Sequence, residues 1–348
     1  MGNPLARDLD HVLAHTTEIW DALRGQRVFV TGGTGFVGTW LLESFAWAND
    51  RFGLNAKAVV LTRHPEAFRS KAPYAATHRS VELFRGTIQN FTSPAGEFAY
   101  LIHAATDQIT PSAYEPAGTF DREVRGTRRV LQFARECGAK RLLFTSSGAV
   151  YGRQPSELTH VSEEYTGAPS TLDFASGYGE AKRVSEFLCA AYARQFGFTA
   201  VIARLFAFSG PYLPLNSNFA IGNFIRDALA GGPIRIAGDG TPYRSYLYAA
   251  DLAIWLWHLL VRGESAWPYN VGSAKAINIE DLARRVVAVA APGVRIEIAG
   301  QRRINAAPAR YVPSIDRVRN EFGLRELIPL DDQIRRMFDW NRQSVTVP

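Results

Sequence analysis

Cysteine is almost absent from this chain: 348 residues hold only Cys137 and Cys189. That is too few, and too irregularly spaced, for the disulfide framework of a small secreted scaffold. Apolar runs are short, and none reaches the roughly 18 residues a membrane-spanning helix needs. The N-terminus, MGNPLARDLDHVLAH, carries acids and histidines where a secretory signal needs an apolar core. Met1-Gly2 opens like a myristoylation signal, but Ala6 stands where Ser or Thr is wanted. These absences suit a soluble, cytoplasmic protein in a reducing compartment. Basic blocks are missing too. Lys and Arg total 39 against 33 acids, a net charge of +6, yet they are scattered, with only pairs such as Arg128-Arg129 and Arg302-Arg303. Without a basic run interleaved with aromatics, no nucleic-acid partner is expected, nor a membrane. Phosphate-bearing small molecules suit the surplus better. No His, Cys and Asp cluster has metal-ligand spacing, so no metal is expected.

What is present is an ordinary globular composition, 47% hydrophobic with 29 glycines and 18 prolines that follow no period. The length allows about two domains, or one large α/β domain with an appendage. Residues 5–24 show helical spacing (Leu9, Val12, Leu13, Ile19, Trp20, Leu23) and Gly25 would stop that helix, so residues 1–26 read as a helical extension. From Arg27 short apolar runs alternate with amphipathic stretches. Val28–Val30, Ala58–Leu61, Val81–Phe84, Tyr100–His103, Arg141–Phe144 and Ala200–Ile202 read as strands; 36–48, 119–137 and 178–197 read as helices. Continuous apolar strands alternating with helices predict a doubly wound, Rossmann-like parallel sheet over 27–205. Beyond it the rhythm breaks into Gly-, Pro- and Asn-rich loops with helical patterns at 219–230, 249–262, 278–290 and 330–340. Residues 206–348 are therefore expected to form mainly a smaller substrate-binding lobe.

Thr31-Gly32-Gly33-Thr34-Gly35-Phe36-Val37-Gly38 follows the first strand and opens the first helix. Gly33, Gly35 and Gly38 satisfy G-x-G-x-x-G, and Gly32, Gly35 and Gly38 satisfy G-x-x-G-x-x-G. Such glycines permit a tight turn, close backbone approach to a pyrophosphate and close helix-on-strand packing. The helix N-terminus adds free N–H groups and a positive dipole end. A dinucleotide, NAD or NADP, is the expected cofactor. The second strand ends Leu61-Thr62-Arg63-His64, without the acid that usually holds an adenosine ribose. Arg63 would suit a 2′-phosphate and inclines the choice to NADP; an ordinary surface arginine is the competing reading.

Tyr178 and Lys182 form Y-x-x-x-K, one helical turn apart and so on one face. An ammonium beside a phenol favours the phenolate, which can take a proton from a carbinol and return it. Ser147 closes the fifth strand, at the carboxyl edge where such sheets carry their sites. His103 and the two cysteines lie on apolar faces and read as core residues.

These motifs, together with HAA (103–105), VRGT (124–127), TSSGAVYG (145–152), YGEAK (178–182), GDGTPYRSYLYAADLA (238–253) and ARYVPSIDRVRNEFGL (309–324), resemble the extended short-chain dehydrogenase/reductase family, in its nucleotide-sugar epimerase/dehydratase branch. The resemblance runs from about Arg27 to Trp340. It implies that Tyr178 is the acid/base, that Lys182 orients the nicotinamide ribose, and that Ser147 binds the reacting oxygen. Gly32, Thr34, Gly35, Phe36, Val37, Gly38, Thr62, Arg63, Thr87, Ile88, Ala104 and Ala105 would line the cofactor, with Ile88 near adenine. Arg244 and Arg310 would meet the substrate's diphosphate, and Asn218 and Phe224 would shape the nucleotide pocket. A homodimer through the helices at 119–137 and 178–197 is implied as well.

Four departures stand out against that pattern. Gly148-Ala149 replaces the Asp-Glu pair typical of dehydratases, and Ala149 also replaces the Glu usual in decarboxylating relatives. Glu123 stands where an Asn usually supports the site, and Ala207 replaces an amide often used on the substrate. The expectation is an NAD(P)-dependent epimerase that oxidises and re-reduces a carbinol of a nucleotide-diphosphate sugar, at C4. An NADPH-dependent 4-ketoreductase is the alternative, and a non-catalytic NADP-binding sensor or scaffold the second.

Overall fold

The computed structural model describes residues 3–106, 115–302 and 307–345. Its centre is a parallel sheet of seven strands: β1 (Arg27–Thr31), β2 (Lys57–Thr62), β3 (Val81–Arg85), β4 (Tyr100–His103), β5 (Arg141–Ser147), β6 (Thr199–Leu205) and β11 (Pro268–Val271). Their spatial order is β11-β6-β5-β4-β1-β2-β3. The chain runs outward from β1 to β3, then returns to the other side of β1 with β4. That reversal opens a crevice at the carboxyl ends of β1 and β4, where open α/β sheets bind ligands.

The inner strands are apolar through their middles because helices cover both faces, whereas the edge strand β3 carries exposed Glu82 and Arg85. In β1 alternate side chains part company: Val28 and Val30 join the core under α2 (Phe36–Phe52) and α8 (Ala249–Arg262). Phe29 points the other way, against Phe91, Phe98 and Phe133. That second face is covered by α5 (Pro116–Glu136) and α6 (Gly177–Phe196), which pack on each other. Two short helices, α3 (Pro65–Lys71) and α4 (Pro73–Thr77), link β2 to β3.

The single helix expected over 5–24 is divided into α1 (Ala6–Ala14) and a 3₁₀ stretch, Thr17–Leu23. The Thr16 and Thr17 hydroxyls donate back to the carbonyls of Val12 (2.7 Å) and Leu13 (3.0 Å). Such side-chain bonds compete with the backbone ladder and let it tighten. Gly25, at φ +68°, ends the extension. It is tied to the body by the Tyr248 hydroxyl donating to Asp8 (2.6 Å), by Arg336 paired with Asp8, and by Trp20 packed on Trp257.

Beyond β6 lie three two-stranded ladders: β7 (Phe208–Ser209) with β10 (Leu247–Tyr248), β8 (Ile234–Ile236) with β13 (Ile296–Ile298), and β9 (Tyr243–Arg244) with β12 (Ile277–Asn278). The helices α7 (Ala220–Leu229), α9 (Ile279–Ala290) and α11 (Leu330–Val345) enclose a second core of Ile221, Phe224, Leu282, Val286 and Met337. A last short helix, α10 (Asp316–Phe322), packs near β11. Two elements from this half of the chain, α8 and β11, build the sheet body. Among the described residues no helix is long and apolar enough to cross a membrane, and no cluster of three acidic, His or Cys side chains could hold a metal.

Candidate active site

The glycine loop sits at the crevice. Gly32 has φ +71°, and a Cβ there would lie 2.3 Å from the carbonyl carbon and oxygen of Ala104. A Cβ on Gly38 would lie 2.3 Å from the Gly32 carbonyl oxygen. Only glycine fits either place: the first brings the loop against Ala104-Ala105, the second seats α2 on the loop. Gly35 precedes the first residue of α2, and no side chain caps that helix. The N–H groups of its first turn, at Phe36, Val37 and Gly38, are therefore left to a ligand. The cradle fits a dinucleotide pyrophosphate. Lys71 adds a cation that sequence reasoning did not name, donating from Nζ to the Thr34 carbonyl (2.9 Å).

The residues expected on the adenosine side lie along the next strand ends. Thr62 is buried at the end of β2, and Arg63 beside it is exposed. Thr87 and Ile88 follow β3; Ile88 lies against α5, where a Cβ on Gly126 would come within 3.1 Å of it.

Across the crevice, β5 delivers Ser147. Its Oγ accepts from the Ala149 N–H (3.1 Å), starting a 3₁₀ turn over Gly148–Tyr151. Tyr178 and Lys182 lie on the first turns of α6, with the ammonium 5.7 Å from the Tyr178 ring centre and 5.0 Å from that of Phe144. Lys182 is 1% exposed. Its Nζ stands 2.9 Å from Glu123 Oε2 and donates to the Thr145 carbonyl (3.2 Å). The other Glu123 oxygen accepts from the Thr106 hydroxyl (2.6 Å). Burial alone would pull Lys182 down, but Glu123 and, after it, Tyr178 outweigh burial and hold it above the ordinary lysine value.

His103 lies beneath this group. It bridges Thr31 (2.9 Å) and Thr127 (3.1 Å), and Thr127 donates on to Ser185 (3.1 Å). Burial, helped by the Lys182 charge, pushes His103 down to about 3, so it is a neutral core residue.

The second half of the chain closes the site from above. Tyr243 bridges Arg310, whose guanidinium lies 4.2 Å over the Tyr243 ring, and Arg244 follows on the same strand. The two candidate diphosphate arginines are thus on neighbouring backbones. Tyr311 reaches in beside them: its hydroxyl donates to the Leu205 carbonyl (3.4 Å) next to Ser147, its ring faces Arg244 at 5.8 Å, and it packs on Phe206. A Cβ on Gly148 would lie 2.7 Å from the Tyr311 hydroxyl and 2.8 Å from Phe206. Asn218 is exposed in the loop before α7. Phe224 is apart from the others, 2% exposed in the lobe's own core.

Tyr311, Glu123, Thr106 and Lys71 are the site's additions to the sequence reading. The signal for Glu123 was there, an acid in an Asn position, but its partner lies on another helix. Tyr311 sat inside a quoted motif with nothing in the sequence pointing it at Ser147.

The model of the NAD dependent epimerase/dehydratase family matches residues 28–272. UDP-glucuronic acid decarboxylase 6 of Arabidopsis thaliana is 30% identical over 89% of this chain and 89% of its own. Among solved structures, the fold is shared with a dTDP-glucose 4,6-dehydratase of Streptomyces venezuelae with NAD and TYD bound (TM-score 0.77, 22% identity, 91% of this chain and 97% of that one). It is shared also with a UDP-glucose 4-epimerase of Thermotoga maritima (TM-score 0.76, 19% identity, 92% and 99%).

Proposed function

The chain belongs to the NAD dependent epimerase/dehydratase family, and from that premise we propose that it is an epimerase acting at C4 of a nucleotide-diphosphate sugar. The observation that carries this reading is what surrounds Ser147. The hydroxyl, phenol and ammonium of Ser147, Tyr178 and Lys182 gather at one sheet edge, while Tyr311 and Phe206 fill the space a side chain on Gly148 would need. An acid pair for elimination of water has no room there, and Ala149 offers no carboxylate for the chemistry named in the decarboxylase relatives.

In this mechanism Arg244 and Arg310 hold the diphosphate, as guanidinium forks suit phosphate oxygens. Ser147 hydrogen-bonds the C4 oxygen. Tyr178, beside the Lys182 ammonium, takes the hydroxyl proton and gives it back after the keto sugar has turned over in the site. The glycine loop, α2 and Lys182 would hold NAD, which when bound accepts the C4 hydride and returns it. Positioning supplies much of the rate. Residues 27–205 carry the cofactor and proton-transfer parts, 206–348 mainly the substrate parts.

Arg63 supports the second reading, an NADPH-dependent 4-ketoreductase, because no carboxylate stands at the end of β2 to hold a 2′-hydroxyl. A homodimer through α5 and α6 is supported by Phe187 on α6 and by Leu172 and Phe174 just before it, all more than two-thirds exposed. A monomer at micromolar concentration, by light scattering, would overturn it.

The test is to denature the purified protein and identify the dinucleotide it releases. The protein is then incubated with UDP-glucose, UDP-galactose and dTDP-glucose, and the products separated. Bound NAD near one per subunit with C4 epimers formed is expected. An empty protein that binds NADPH and consumes it on a keto sugar moves the reading to a reductase, and neither activity nor binding overturns both.

A further inference from the structure

We propose that Glu123 is a positioning residue that cancels the charge of Lys182 and thereby sets the pH at which the Tyr178–Lys182 pair gives up its proton. The inference rests on the reading of Tyr178 as the acid/base. It starts from geometry: the ammonium and the carboxylate are 2.9 Å apart, their side chains 1% and 4% exposed, and the Thr106 hydroxyl holds the other carboxylate oxygen. An Asn at this place would leave Lys182 a net +1 beside the phenol. Glu123 makes the pair neutral.

Every titratable group that faces Lys182 among the described residues bears on this. Glu123 comes from α5, Tyr178 and Cys189 from α6, and His103 from β4. The Thr145 carbonyl and the Phe144 ring complete the wall from β5. His103 is held neutral and Cys189 is pushed well above its ordinary value by burial. Among the described residues, Glu123 is therefore the negative charge against which Lys182 and Tyr178 balance. Taking a negative charge away makes every nearby proton easier to lose, whichever of the two groups loses it first.

The consequence is readable without a substrate. The nicotinamide of NAD⁺ is a cation, so a site that has lost a proton binds it more tightly, and the affinity steps up with pH. The experiment measures NAD⁺ affinity from pH 5 to pH 10 by tryptophan fluorescence quenching, on the wild type, Y178F, E123Q, E123N and E123D, with the melting temperature of each. The step is expected in the wild type, absent in Y178F, moved down by about one pH unit in E123Q and E123N, and close to wild type in E123D. E123N keeps the test open should E123Q fail to fold.

A step missing from the wild type, or surviving in Y178F, overturns the reading of Tyr178 and this inference with it. A step that Y178F removes but E123Q and E123N leave in place, or move upward, overturns this inference alone. That holds even if both variants melt earlier, since a merely structural ion pair would lower the melting temperature without moving the step.

Discussion

Helix α6 carries one partner of each of two buried ion pairs, a single turn apart, and they serve the molecule differently. Glu186 meets Arg204 as a fork, with Nε at 3.0 Å and Nη2 at 2.7 Å on its two oxygens, and the Ser146 hydroxyl donates to Oε1 at 2.5 Å. Arg204 also lies 4.7 Å over the Tyr151 ring, and Tyr151 donates to Asn270 of β11 (2.7 Å). The pair is flat and held from several sides; it locks α6, β5 and β6 together. Lys182 and Glu123 share one close contact between a point charge and a carboxylate oxygen, beside the phenol expected to move a proton. A planar fork fixes geometry, whereas an ammonium leaves its remaining donors free to turn toward a ligand. Two pairs of the same charges on one helix thus differ, the less deeply buried fork serving as scaffold and the more deeply buried ammonium standing where the proposed chemistry lies.

The largest effect that would sharpen this contrast is on stability. R204M leaves Glu186 buried without its cation, and should cost about 3–5 kcal/mol of unfolding free energy by denaturant titration. The pH step of NAD⁺ binding should stay where it is; a loss below about 1 kcal/mol would show that the fork is not the scaffold described. Y178F should do the reverse, lowering sugar turnover by about 10²–10⁴-fold with the denaturation midpoint unchanged. If its midpoint fell as far as that of R204M, the division between scaffold and chemistry would collapse. A smaller change lies between the two regions. G148A forces a methyl into the contact with Tyr311 and Phe206, for about 1–3 kcal/mol, and adding Y311F should recover part of it; no recovery would mean that Phe206 alone sets the limit.

The gentlest test is pH. His103 is held at about 3 in the fold, against an ordinary value of 6.5. Its contribution is complete above pH 6.5 and is lost as pH falls toward about 3, since the unfolded chain takes up the proton first. Wild type should lose about 1.4 kcal/mol more per pH unit than H103N in that window. Equal slopes would mean that His103 does not titrate on unfolding.

What could be read from the chain alone follows from how far apart the interacting residues are. The glycine loop was legible because much of its requirement is local: the positive φ of Gly32 makes the turn and Gly38 seats the helix start, all within eight residues, although the close approach of Gly32 to Ala104 is not. Tyr178 and Lys182 were legible because one helical turn fixes their relation. The partnership of Glu123 with Lys182 was not, since it needs the packing of α5 on α6, and neither was the arrival of Tyr311 at Ser147 across half the chain. Helical periodicity likewise missed the break after Ala14, which two threonine hydroxyls impose from the side. The strand β11, Pro268-Tyr269-Asn270-Val271, lacks the continuous apolar run of β2, and it lay among loops where no alternation announced it.

That strand has a consequence for anyone recombining this protein with its relatives. Because β11 hydrogen-bonds along β6 in the sheet and α8 lies against the same core as β1, the half of the chain that supplies Arg244, Arg310 and Tyr311 is stitched into the half that supplies the glycine loop. A chimera cut once, after residue 205, would exchange an edge strand and a covering helix along with the proposed substrate residues, and would have to match a foreign seam. Grafts that keep 249–271 from the recipient and exchange the flanking segments respect the stitching, and are the route by which a new sugar specificity could be carried in.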